Sequence, residues 1–149
     1  MNESGKARTI LYEQPWGYIE YISDIPCINC VIKGSSLSEE VRDRHAKINH
    51  YLLEKKELHD KIGLLIDPLE AEPLLEKDIQ WLTQEWKPSL SKIGIEYMAV
   101  VISTDDLARL TTDLLEEDIE ATEIKLMERY FSGRNSALAW LKDTMSVSN

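Results

Sequence analysis

Apolar and polar positions in this chain change period several times, and each change marks an element. Residues 8–13, 16–22 and 27–33 read as three strands, separated by Gln14-Pro15 and by Ser23-Asp24-Ile25-Pro26, which carry turn chemistry. Together they predict an antiparallel meander. In the third strand Ile28, Cys30 and Ile32 share one face, the one expected to meet the core. After Gly34 the period lengthens to that of a helix: Ser36 is placed to cap it and Glu39 to complete a capping box, with Leu37, Val41, His45, Ile48 and Leu52 on one stripe.

The stretch from Lys61 to Ser103 predicts a strand-helix-strand crossover. Ile62-Gly-Leu-Leu-Ile66 is an apolar strand ending at Asp67-Pro68, and Tyr97-Met-Ala-Val-Val-Ile102 is a second one. The helix between them is expected from Pro73 to about Lys87, where Pro88 stops it. At about 100° per residue, Leu75, Ile79, Leu82 and Trp86 cluster toward the sheet, while Leu74 and Trp81 face outward. An outward tryptophan is the kind of anchor interfaces use, so Leu74 and Trp81 are the candidate protein interface.

Ser103-Thr104-Asp105-Asp106 caps a third helix running to about Leu115, followed by an acidic connector over 117–122. Residues 123–131 suit an edge strand or a helix equally. Ser136 to Lys142 is a short last helix. The expected whole is α/β: a mixed sheet with an N-terminal three-stranded meander, a β-α-β crossover and about four helices. A single domain is expected over 7–143, with a flexible leader at 1–6 and a flexible tail at 144–149.

Composition narrows the functions. Seventeen basic against 27 acidic side chains give a formal charge of -10, which disfavours nucleic acid and anionic lipid surfaces as partners. No apolar run is long enough to span a bilayer, so membrane insertion is not expected. The opening residues do not form a signal peptide, so a cytoplasmic protein is expected.

Candidate chemistry is sparse. Cys27 and Cys30 form a Cys-x-x-Cys pair, but they lie in a strand, where positions three apart are about 10 Å apart and point to opposite faces. A disulfide needs its Cα atoms within about 7 Å, so packed free thiols are the simpler reading. His45, His50 and His59 do not converge as ligands; no metal triad or cofactor motif appears, and the expected cofactor is none. An acid/base pair such as Asp67 with Asp105 can be drawn at the strand ends, but with 27 acidic residues such pairs are unsurprising, and no nucleophile has a base assigned to it. An enzyme is not expected.

The order of elements is that of STAS domains, and the chain more closely resembles the small stand-alone SpoIIAA-like proteins, related in fold to anti-sigma-factor antagonists and CRAL-TRIO lipid carriers. The residues that carry the resemblance are Ile10-Leu-Tyr-Glu13, Lys33-Gly34, Leu64-Leu-Ile-Asp67, Trp81-Leu-Thr-Gln-Glu-Trp86, Arg129-Tyr-Phe-Ser132 and Ala137-Leu-Ala-Trp-Leu141. In the antagonists, a serine at the helix start after the aspartate is phosphorylated to switch partner binding. Here Asp67 is followed by Pro68-Leu69-Glu70-Ala71, and no Ser or Thr stands between Glu39 and Leu82. The resemblance therefore implies a regulatory module without that switch, binding another protein or itself as a homodimer. The lipid-carrier kinship implies a second role, carrying a small apolar ligand in a pocket at the strand ends rimmed by Asp67, Ser103 and Thr104.

Overall fold

The computed structural model describes residues 7–109 and 126–146. Strands β1 (Arg8–Gln14), β2 (Gly17–Ile22) and β3 (Cys27–Gly34) form the antiparallel meander, close to the boundaries that the alternation predicts. The first turn needs its glycine. Gly17 has φ +138°, and a Cβ there would lie 1.9 Å from the Val31 carbonyl oxygen.

Helix α1 (Ser38–Lys56) follows and returns the chain to β4 (Gly63–Ala71), parallel to β3. Its N-terminus is not capped by Ser36. Leu37 holds the cap position, and the Glu40 carboxylate accepts its backbone N–H at 2.8 Å. Ser36 is engaged elsewhere: its hydroxyl accepts from Arg44 (3.0 Å), a buried guanidinium that stacks over the Trp16 ring at 4.8 Å and needs an acceptor. Val41, His45, Ile48 and Leu52 are buried as their spacing predicts, whereas Leu37 is 64% exposed.

Strand β4 does not end at Asp67-Pro68. Its pairing with β3 shifts between Val31 and Lys33, and after this irregularity Lys33 faces Glu70 and Gly34 faces Ala71. Proline lacks a ladder donor and is tolerated at such a break, so the strand passes through it.

The second crossover also departs from expectation. Helix α2 (Glu76–Trp81) starts three residues after Pro73, widens into a π-helical turn over Leu82–Trp86, and continues as α3 (Lys87–Lys92). Pro88 thus enters at the first turn of α3 instead of stopping the helix. The widened turn changes the hydrogen-bond register just before the residue that has no N–H to give.

Strand β5 (Tyr97–Val101) lies parallel to β4. Residues 104–109 are helical, with the Ser103 hydroxyl accepting the Asp106 N–H at 3.1 Å. The expected extension of this helix to Leu115 and the acidic connector at 117–122 lie outside the described residues, as does the leader at 1–6. For the ambiguous segment the outcome is a strand over its described part: β6 (Met127–Phe131) pairs parallel with β5. Helix α4 (Arg134–Ser146) closes the described chain, with Met145 buried.

The six strands stand in sequential order, antiparallel through β3 and parallel from β3 to β6. Both faces of the sheet are covered. On one, Ile19, Ile28, Cys30, Leu64 and Met98 pack with Ile48, Leu52, Trp86 and Leu90 from the crossovers. On the other, Ile22, Cys27, Leu65, Ala99 and Val101 pack with Ala137, Leu138 and Leu141 of α4. This explains the near-continuous apolar runs of β4 and β5, since a strand buried on both faces has no polar side to alternate. The fold is α/β with a mixed sheet. No helix among the described residues is long and apolar enough to cross a membrane.

Candidate functional site

Among the described residues, Asp67, Ser103 and Thr104 line none of the four main cavities. Asp67 is half-buried within β4, and its carboxylate accepts the Leu69 N–H at 3.4 Å, a local turn contact. Ser103 and Thr104 are exposed, Ser103 serving as a helix cap. Asp105 is exposed beside them.

The two faces of the second crossover are placed differently from the helical-wheel expectation. Trp81 is half-buried against the main core, edge-on to His45 at 6.3 Å and beneath the Arg42 guanidinium at 5.1 Å. Leu74 is half-buried in the extended segment before α2. The residues expected to face the sheet, Leu75 and Ile79, are instead 59% and 50% exposed. Two further apolar side chains are exposed at the same end of the molecule: Leu37, at 64%, and Leu69, at 50%. Ser38 donates a 2.8 Å hydrogen bond to Asp78, which ties the first turn of α1 to the first turn of α2. The Glu72 N–H binds the Gly34 carbonyl at 2.9 Å, drawing the end of β4 to the start of α1. On the same segments Glu39, Glu70, Glu72 and Glu76 are exposed, as are Lys33 and Lys77. Periodicity alone hid this end, because its members come from caps and strand ends.

A cavity of about 210 Å³ opens between the second crossover and the sheet. Ile66, Leu82, Trp86, Met98 and Val100 form much of its wall. Its polar lining includes Thr83 and the charged or phenolic groups Lys87, Glu128 and Tyr130. Lys87 Nζ lies 3.0 Å from Glu128 Oε1, and the Tyr130 hydroxyl donates to Oε2 of the same carboxylate. Burial, then the Glu128 charge, pushes the Tyr130 phenol well above its ordinary pKa.

His45 lines the same cavity, 4% exposed, edge-on to Trp86 at 4.5 Å. Its Nδ1 binds the Val41 carbonyl at 2.7 Å. Burial lowers its pKa to about 4. The ring is therefore neutral near pH 7, with its proton on Nδ1 and an acceptor lone pair on Nε2.

On the opposite face, the Glu20 carboxylate is 4% exposed and receives Arg134, Asn29 (2.7 Å) and Arg8 (3.4 Å). This network joins the meander to α4 and carries no free nucleophile. The two cysteines are buried free thiols on opposite faces of β3, Cys30 toward the crossovers and Cys27 toward α4. Burial raises both thiols, Cys30 to about 12, so neither is poised for exchange at neutral pH. The histidines stay apart: His59 pairs with the Tyr21 hydroxyl, and His50 lies 3.9 Å from Glu54 on the surface of α1. Among the described residues no group of three or more His, Cys, Asp or Glu side chains is gathered to hold a metal ion.

Comparison with known families, curated proteins and solved structures gives no match.

Proposed function

We propose that this chain is a non-catalytic, cytoplasmic protein-binding module of STAS-like type, without a phosphorylatable serine. Its docking face is the end built by the starts of α1 and α2. The observation that carries this reading is that Leu37, Leu69, Leu75 and Ile79, each at least half exposed, stand on segments tied together by the Ser38–Asp78 and Glu72–Gly34 hydrogen bonds, which also carry exposed glutamates. Scattered exposed leucines need no explanation, but exposed apolar side chains on adjoining segments among mostly acidic neighbours in sequence have the composition of an interface.

These acidic neighbours select the partner's chemistry. A basic amphipathic segment matches both the apolar side chains and the glutamates. A second copy of this chain, meeting the same face, would bring glutamates against glutamates. Self-association through this end is therefore disfavoured, and Trp81 is engaged with Arg42 and His45.

Amide NMR with a synthetic Leu/Lys amphipathic peptide tests the proposal. Saturable shifts centred on residues 37–40 and 69–79 are expected, weakening as salt is raised, with no response to a Leu/Glu peptide of the same pattern. Shifts spread evenly over the acidic surface, or none at all, would contradict it.

A further inference from the structure

We infer that the cavity between the second crossover and the sheet binds a small, neutral, aromatic molecule carrying one hydrogen-bond donor, with His45 Nε2 as the acceptor. The inference does not depend on the docking face. Ile79 also lines the cavity, but the rest of the lining belongs to the sheet, to α1, to the π-helical turn and to Lys87 of α3.

Three observations define the ligand. Size comes first. An engineered apolar cavity of about 150 Å³ holds benzene, so about 210 Å³ suits a one- or two-ring molecule of roughly ten heavy atoms.

Charge comes second. Lys87 and Tyr130 both address Glu128, so the polar side is internally paired and offers no counter-charge to an ionic ligand. The wall of Trp86, Leu82, Met98 and Val100 favours a flat apolar body.

The third is the vacancy in hydrogen bonding. His45 is 4% exposed, and its ring is held by the Val41 carbonyl on one nitrogen and by the edge-on contact with Trp86. Its other nitrogen has no partner among the described residues. His45 lines the cavity, so a phenolic hydroxyl or an indole-type N–H entering it meets a ring nitrogen able to accept. The ring is neutral at pH 7, so the lone pair is free to accept.

Imidazole nitrogen NMR of the intact chain, titrated with 2-naphthol and separately with 2-methoxynaphthalene, tests this directly. The two probes share their rings and differ in the donor. With 2-naphthol the His45 Nε2 resonance and the Met98 methyl are expected to shift saturably, and the methoxy compound should bind about tenfold more weakly. In a His45→Phe variant the two probes should bind equally. If that variant does not fold, the comparison of probes on the unaltered chain decides alone. Equal affinities for the two probes on that chain, shifts confined to the leucine-rich end, or an unmoved His45 at the solubility limit of 2-naphthol would each overturn the inference.

Discussion

The Ser38 hydroxyl donates a 2.8 Å hydrogen bond to Asp78 Oδ2, joining the first turn of α1 to the first turn of α2. Asp78 is 1% exposed, and its Oδ1 has no hydrogen-bond partner. Two crossovers that lie 40 residues apart in sequence thus meet at one half-satisfied carboxylate. Removing the hydroxyl withdraws that contact from a buried charge. Ser38→Ala is expected to cost about 2 kcal/mol in urea unfolding. Asp78→Asn, which removes the buried charge itself, should cost less than Ser38→Ala.

His45 gives the stability a pH dependence whose sign follows from its burial. Its folded pKa is lowered from 6.5 to about 4, so between those values the unfolded chain binds more protons than the folded one. Its contribution is constant above pH 6.5, falls as pH drops through that window, and levels off below about 4. The full loss is about 3 kcal/mol. Unfolding measured from pH 7.5 to 4 should show this decline on top of the carboxylate background, and a His45→Phe variant should show less of it.

The thiols should be silent in the folded protein. Cys27 and Cys30 are fully buried, and burial raises both. A disulfide-exchange reagent at pH 7 is expected to label neither within the time that labels both in guanidinium. Fast labelling of the native chain would place a sulfur at the surface.

Arg134 on α4 holds Glu20 on β2, a contact spanning 114 residues. Glu20 is almost wholly buried, so Arg134→Met leaves a carboxylate served by Asn29 and the more distant Arg8 alone. The expected cost is about 3 kcal/mol, with Glu20→Gln milder because it removes the charge itself. Thermal unfolding of the two variants checks the order.

Much of this architecture was legible in the sequence because burial on both faces leaves an unambiguous signature. The runs Leu64-Leu65-Ile66 and Met98-Ala99-Val100-Val101 have no polar side, and the structure places them at the centre of the sheet. The alternation of Ile28, Cys30 and Ile32 likewise placed these residues on the face that meets the crossovers. Where the reading failed, a local irregularity was the cause. Pro68 reads as a strand end, yet a register shift lets β4 pass it. A helical wheel drawn evenly over 73–87 assumes one period, but α2 begins at Glu76 and the π-helical turn at Leu82–Trp86 adds a residue to the repeat. Ile79 is half exposed where Trp86 is buried, although both line the cavity against the sheet. The partners around the cavity were beyond reach of any spacing rule, since Lys87 and Glu128 meet from 41 residues apart. The one signal was in β6, where Glu128 and Tyr130 alternate onto the face opposite Phe131, and the segment's mixed period obscured it.

The leucine-rich acidic end carries the functional account, and a paired affinity measurement tests it most directly. The Leu/Lys peptide is titrated calorimetrically into the unaltered chain and into a Leu37→Ser/Leu75→Ser variant of identical charge, each shown by circular dichroism to be folded. At least tenfold weaker binding to the variant is the predicted result. Equal affinity for both would mean that charge alone attracts the peptide, and would contradict the assignment of this end as the docking face.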